Sequence, residues 1–315
     1  MRNLKLSFIL IFFGSATAFA QLTFTEEEIT IDKFTDGTLV LSPIAENPPL
    51  VIFIQGSGPA NRDGNSPEGM INKSDFAKKL AYELADKGIA SFRFDKRSLK
   101  AKELNLESIS FDDFVTDVEN ILGHFKNERN FSNLIVAGHS QGSLIGMLAA
   151  KDNADAFISI AGPGKSIEHI LTEQLLAQLP TLKDDINKSL QEIKKNGSTA
   201  EYPKILGSLF SPPNQAFLAS WMQHDPSEEI AKLKIPVLII QGTRDLQVKE
   251  EQAEMLHKAA PNSELVMLKD MNHVFREIKE EEKDQNLASY NNPEKPLHPD
   301  VIPVLTDFIK NLENK

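Results

Sequence analysis

The chain has 315 residues, 41% of them hydrophobic and 25% charged, ordinary globular proportions that exclude a disordered or fibrous chain. Its formal charge of −11 repels phosphate backbones and argues against nucleic acid as a partner. It contains no cysteine, which excludes disulfides, thiolate nucleophiles, cysteine-bound metals and a cysteine-linked lipid anchor.

The first segment reads as a targeting signal. Arg2 and Lys5 are basic, residues 6–13 form an apolar run, and Ala16, Ala18 and Ala20 supply small residues. This is the pattern of a secretory signal peptide over residues 1–20, cleaved after Ala20. The expectation is an exported protein, periplasmic or secreted. The run is short of the ~20 residues a bilayer span needs. No later stretch approaches that length, so no membrane span is expected in the mature chain.

Residues 22–31 alternate loosely and are rich in Thr and Ile, and residues 38–41 follow Asp36-Gly37, which predicts an antiparallel hairpin turning at that pair. Residues 50–54 are continuously apolar and end at Gly56, as a strand buried on both faces does. The chain then alternates. Helical spacing over 74–87 leads to a strand at 89–94. A helix over 111–125, with Asp112 and Asp113 in its first turn, leads to a strand at 134–137. A helix over 141–150 leads to a strand at 156–160. Strands alternating with helices imply βαβ crossovers and a mostly parallel, twisted sheet with helices on both faces.

The alternation stops over residues 164–233. Helical stretches at 167–179 and 182–195 stand there without a buried strand, which reads as a helical insertion. The sheet resumes at 236–240, followed by a helix at 250–259, a strand at 264–268 and a closing helix at 301–312. Residues 286–299 are polar and contain proline, and are expected to be a surface loop. The division is therefore a signal peptide (1–20), a first core part (21–163), a helical lid insertion (164–233) and a second core part (234–315).

Gly138-His139-Ser140-Gln141-Gly142 follows the strand at 134–137 and opens the next helix. This is G-x-S-x-G in the strand–turn–helix context that gives it meaning. The glycines are needed because the serine sits on a very tight, strained turn, where side chains two residues either side would strike backbone. The turn lifts the hydroxyl above the sheet edge and points a helix N-terminus at a developing oxyanion, with the Gln141 N–H as one donor. A serine hydroxyl needs an imidazole to take its proton, and the imidazole needs a carboxylate to hold its tautomer. Asp245 stands just past the strand at 236–240 and His273 just past the strand at 264–268. The order Ser140, Asp245, His273, each at the carboxyl end of a strand, is the order such a sheet requires. Asp270 is the rival carboxylate, and His139, inside the turn itself, is expected to be structural.

With these residues the chain from Leu50 onward resembles the bacterial α/β-hydrolase superfamily, in the group of exported carboxylesterases and serine aminopeptidase-like proteins. Gln55-Gly56-Ser57-Gly58-Pro59, followed by Asn61-Arg62-Asp63-Gly64-Asn65, is similar to the oxyanion loop of exported esterases, which carry H-G-S-G-P and a nearby R-D. Gln55 stands where those proteins have histidine. The resemblance implies that the Ser57 backbone N–H is the second oxyanion donor beside that of Gln141. It also implies hydrolysis of small to medium acyl esters through an acyl-enzyme, with no cofactor and a small-molecule ester as partner.

The other side chains carry blander expectations. Phe210, Phe217, Trp221 and Met222 are candidates to line an acyl pocket under the insertion. Asp95 and Arg97 are expected to pair locally and fix their loop, and Arg62 and Asp63 to shape the pocket mouth at most. His124, His169, His224, His257 and His298 are scattered, none at metal-ligand spacing with a carboxylate, so no metal is expected. A peptidase or amidase of the same fold would need a lid carboxylate to grip an amino terminus, for which Glu168, Glu173 and Glu228 are available. A binding protein on a hydrolase scaffold is the third reading, and the complete triad argues against it.

Overall fold

The computed structural model describes residues 24–312 apart from 71, 105, 107, 129 and 280–282. The signal peptide expected at 1–20 lies outside the described residues. Strands β1 (Thr25–Thr30) and β2 (Asp36–Leu41) form the expected antiparallel hairpin. Its turn lies earlier than expected. The Asp32 carboxylate accepts from the Phe34 and Thr35 N–H groups, and Asp36-Gly37 already belongs to β2. An aspartate that bonds its own backbone two and three residues on makes a turn without glycine.

The remaining elements are β3 (Leu50–Ile54), α1 (Phe76–Ala85), β4 (Ala90–Phe94), α2 (Phe111–Glu128), β5 (Leu134–His139), α3 (Gln141–Ala150), β6 (Ala156–Ile160), four helices α4 (Ile167–Gln178), α5 (Lys183–Asn196), α6 (Pro212–Trp221) and α7 (Pro226–Ile230), then β7 (Val237–Gly242), α8 (Glu250–Ala259), β8 (Glu264–Leu268), α9 (Lys283–Ala288) and α10 (Val301–Leu312). The sheet has eight strands in the order β1-β2-β4-β3-β5-β6-β7-β8, parallel from β4 to β8. Both hairpin strands run antiparallel to their neighbours.

The continuous apolar strands divide their side chains between two cores, as the two-residue period of a strand dictates. Ile52 and Ile54 of β3 face a core with Phe92, Phe111, Val118, Leu144 and Phe157, under α2, α3 and α8. Val51 and Phe53 face the other, with Phe76, Leu80, Ile158, Val301 and Leu305, under α1 and α10. Helix α3 is apolar all round because it is enclosed on every side, with nine of its ten residues buried.

Between β6 and β7 every described element is helical, as expected, and this segment has a small core of its own around Ile186, Leu190, Ile193 and Phe210. The stretch expected to be a polar surface loop at 286–299 is different. Asn286, Ser289, Tyr290 and His298 in it are buried. Asn272 donates to Asn286 Oδ1 at 2.9 Å and to Ser289 Oγ at 2.7 Å, and His298 Nε2 donates to the Lys269 carbonyl at 2.9 Å. Polar side chains that satisfy one another can be buried, so polarity alone misplaced this segment. No helix among the described residues is long and apolar enough to cross a membrane.

Candidate active site

Because β3 to β8 are parallel, the segments after β3, β4, β5, β7 and β8 emerge at one edge of the sheet. These segments carry Ser57, Lys96, Ser140, Asp245 and His273.

Ser140 has φ 55° and ψ −122°, a backbone conformation that L side chains rarely adopt. The turn is pinned: the Ser140 N–H donates to the Ile160 carbonyl at 3.0 Å and its carbonyl accepts from the Ser143 N–H at 2.9 Å. Its glycines are there because nothing larger fits. A Cβ on Gly138 would lie 2.2 Å from the Gly142 oxygen, and one on Gly142 would lie 2.3 Å from the Ile54 oxygen. Gln141 is the first residue of α3, in the turn where helix N–H groups lack intrahelical acceptors.

His273 Nδ1 lies 2.7 Å from Asp245 Oδ2, and both side chains are almost fully buried. The other Asp245 oxygen accepts from the N–H groups of Gln247 at 2.7 Å and Val248 at 2.9 Å. Burial alone would raise the Asp245 pKa. The His273 charge and hydrogen bond, with the two backbone donors, outweigh burial and hold the carboxyl below its ordinary value. An ionised Asp245 accepts the Nδ1 proton of His273, which leaves the Nε2 lone pair free. The rival Asp270 is engaged elsewhere, paired with Arg244 at 3.2 Å.

His139 does not share the chemistry. Its Nε2 lies 2.9 Å from the His273 carbonyl oxygen, which can only accept, so Nε2 carries the proton. Burial, with the nearby His273, pushes its pKa down to about 3. It is a neutral brace, packed against Phe76 and Phe275 as well as His273.

Gln55 acts as a loop anchor. Its Nε2 donates to the Phe94 carbonyl at 2.8 Å and to the Asn61 carbonyl at 3.3 Å, tying the loop after β3 to the end of β4. Asp95 and Arg97 do fix this region by ion pairs, with different partners: Asp95 with Arg62 at 2.7 Å, and Arg97 with Asp117 at 2.5 Å. Arg62 also binds Asp36, and Asp63 pairs with Arg93. Arg62 and Asp63 therefore fasten the loop to the sheet and line neither cavity described next.

Two cavities meet at Ser57, Ser140 and Gln247. The smaller, about 150 Å³, is bounded by His273, His139, Ser66, Asn72, Gln247 and Tyr290. The larger, about 720 Å³, runs under the helical segment past Gln141, Ile167, Leu171, Phe217, Trp221 and Leu246. Phe217 and Trp221 line it as expected, whereas Phe210 and Met222 turn the other way into the small core of the insertion. Tyr290, Gln247 and Lys96 were missed from sequence. The first lies in the misread polar stretch, and the other two carry no motif. The remaining histidines stand away from both cavities. No group of three or more His, Asp or Glu side chains among the described residues is placed to hold a metal.

With this geometry in view, the chain can be set beside known proteins. Residues 67–283 match the family described as serine aminopeptidase, S33. The chain is 28% identical over 263 residues to esterase EstD of Thermotoga maritima, an alignment that covers 80% of this chain and 60% of that one. It thus spans about three fifths of that relative's length. Among solved structures it is similar to Est1E from Butyrivibrio proteoclasticus, with a TM-score of 0.56 and 18% identity over 92% of this chain and 99% of that one. A Pyrococcus furiosus esterase gives a TM-score of 0.55 and 15% identity over 93% and 92% of the two chains. A puromycin-hydrolyzing peptidase of Mycobacterium tuberculosis gives 0.55 and 16% over 91% and 39%. These structural likenesses establish the fold.

Proposed function

The chain belongs to the serine aminopeptidase, S33 family of α/β-hydrolases, and from that premise we propose that it hydrolyses carboxylic esters with Ser140 as nucleophile, His273 as general base and Asp245 as the orienting carboxylate. The observation that carries the reading is the 2.7 Å contact from Asp245 to His273 Nδ1, beside a serine held at positive φ on the wall of the same cavity.

In the reaction, Ser140 Oγ gives its proton to His273 Nε2 and forms a bond to the ester carbonyl carbon. The carbonyl electron pair moves onto oxygen, which the N–H groups of Ser57 and Gln141 receive. The bond to the leaving alcohol then breaks, and that oxygen takes the proton from His273. Water repeats the cycle on the acyl-enzyme and releases the acid.

The two cavities give this chemistry a direction. The leaving alcohol must meet His273, which bounds the smaller, polar cavity. The acyl group then occupies the larger one, which begins at Gln141 and is bordered by Leu171, Phe217 and Trp221. On this reading the helical segment over 164–233 is a lid that sets acyl size, and the substrate joins a small polar alcohol to a bulkier acid. The name of the Thermotoga relative favours ester over amide substrates.

The family name raises aminopeptidase activity as a second reading. Of the lid carboxylates, only Glu173 borders the larger cavity, and Lys165 pairs with it at 2.7 Å. Glu168 is bound by Lys194 and faces elsewhere. Glu251 of α8 borders the same cavity from outside the lid, so the carboxylates alone do not select the reading, and the ester reading stands first on the name of the Thermotoga relative. The N-terminal sequence pattern supports export to the periplasm or beyond.

The test is hydrolysis of p-nitrophenyl acetate and butyrate by the mature protein beside Ser140→Ala, with aminoacyl p-nitroanilides as the competing panel. The expected result is ester turnover that falls about 10³-fold or more in the variant. Turnover of the anilides alone would transfer the site to the peptidase reading. Equal ester turnover in both proteins would remove Ser140 from the chemistry.

A further inference from the structure

Lys96 is 2% exposed although it is a lysine, and it lies just past the end of β4 beside the candidate site. Its Nζ donates to the Gly56 carbonyl at 2.6 Å and to Gln141 Oε1 at 3.0 Å. The Phe114 ring centroid stands 4.6 Å from the same nitrogen. Its backbone N–H donates to the Ala60 carbonyl at 3.1 Å, so the residue is fixed at both ends.

The two acceptors matter because of what they are joined to. The Gly56 carbonyl and the Ser57 N–H belong to one planar trans peptide and point in opposite directions. A donor on that oxygen fixes the plane, and so fixes where the Ser57 N–H points. It also polarises the peptide, which strengthens the N–H as a donor. The second contact holds the side chain of Gln141, whose own N–H opens helix α3. One amine therefore ties together the two backbone segments that supply the oxyanion donors.

We propose that Lys96 is a positioning residue for the oxyanion hole, clamping the Gly56–Ser57 peptide to Gln141 so that both N–H groups converge on the developing oxyanion. This rests on the assignment of Ser57 and Gln141 as the oxyanion donors. No ion pair among the described residues accounts for the burial of Lys96. Asp117, the carboxylate whose charge acts on it, is committed to Arg97 at 2.5 Å. Burial brings the Lys96 pKa down to about 7 against the pull of Asp117. The neutral amine still has two N–H bonds, one for each oxygen, so the clamp survives loss of the proton.

The experiment is steady-state kinetics on a p-nitrophenyl ester for wild type, Ser140→Ala, Lys96→Met and Lys96→Gln, together with inhibition by an alkyl trifluoromethyl ketone. That ketone forms a tetrahedral adduct whose oxyanion needs the hole, whereas the ground-state ester does not. Lys96→Met keeps an unbranched apolar stem of nearly the same reach but ends one atom short and removes the donor. The expected result is a kcat lowered about 10- to 100-fold, a Ki for the ketone weakened by a similar factor, and a KM within about threefold of wild type, since only transition-state contacts are lost. Lys96→Gln, which keeps an N–H for the Gly56 oxygen, should recover part of the loss. It also takes the place of the Met variant if that one does not fold. A kcat and Ki within about threefold of wild type in a folded variant would overturn the clamp. So would kcat loss with unchanged ketone affinity, which would mean a general distortion. Should Ser140→Ala keep its activity, the nucleophile assignment fails and takes the clamp with it. If Ser140→Ala is dead and Lys96→Met is not, only the clamp fails.

Discussion

The His139 and His273 rings stand 4.6 Å apart between centroids, and His139 Nε2 donates to the backbone carbonyl of His273 at 2.9 Å. The residue beside Ser140 in sequence thus holds the loop that carries His273. That contact needs a proton on Nε2, and burial, with the nearby His273, keeps the ring neutral by taking the pKa to about 3, so the proton on Nε2 is the only one it carries.

A pH dependence of stability follows. Folding depresses the pKa of this base, so the unfolded state takes up a proton near pH 6.5 and the folded state does so only near 3. Between those values the unfolded state binds more protons, and stability falls as pH falls, by about 1.4 kcal/mol per unit at the limit. Urea unfolding at pH 7 and pH 4 should show this acid loss in wild type and a smaller one in His139→Gln. Equal losses in the two proteins would show that His139 is not the group responsible.

The choice between two carboxylates can be read kinetically. Asp245→Asn removes the acceptor that keeps the proton on His273 Nδ1, and kcat should fall about 10⁴-fold with the fold intact. Asp270→Asn disturbs only the pair with Arg244 and should leave kcat within about threefold, as surface pairs contribute little. The reverse pattern would exchange their roles.

The strain at Ser140 is measurable without catalysis. A residue at φ 55° and ψ −122° is costly for any L side chain and cheap for glycine. Ser140→Gly should therefore be more stable than Ser140→Ala by about 1 kcal/mol, while both are inactive. The order of their thermal midpoints decides the point, and an alanine variant at least as stable as the glycine one would show that the turn stores no strain.

What was legible in the sequence is what short-range pattern determines. Residues 50–54, 156–160 and 264–268 are strands where the sequence puts them: the first two are buried along their whole length, as strands enclosed by helices are, and the third is an edge strand that starts at an exposed Glu264. That Ser140, Asp245 and His273 lie at one edge was legible because Ser140 follows β5 at once and the other two stand in the loops just after β7 and β8, and a parallel sheet sends all such segments to one edge. Facts of tertiary phase were not legible. Helical spacing shows that Phe210, Phe217, Trp221 and Met222 are apolar, but which of them faces the cavity depends on how the insertion sits over the sheet. Buried polar groups were not legible either. Lys96 and Asn286 look like surface residues until their partners are known, and those partners lie 40 residues away for Gly56 and 14 for Asn272.

The assignment of the two cavities makes opposite predictions for two substitutions. Leu171 borders only the larger cavity, and Tyr290 only the smaller. If the acyl group lies under the helical segment, Leu171→Trp should cut kcat/KM for octanoyl esters by about 10-fold or more and leave acetyl esters of the same alcohol within about threefold, the range expected for lost apolar fit in a pocket. Tyr290→Ala opens the polar cavity and should favour bulky alcohols: the ratio of kcat/KM for a naphthyl ester to that for a methyl ester of the same acid should rise about 10-fold. The two effects must not cross. If Leu171→Trp discriminates among alcohols and Tyr290→Ala among acids, the substrate lies the other way round, and His273 would then have to reach its leaving group from the larger cavity, which it does not line.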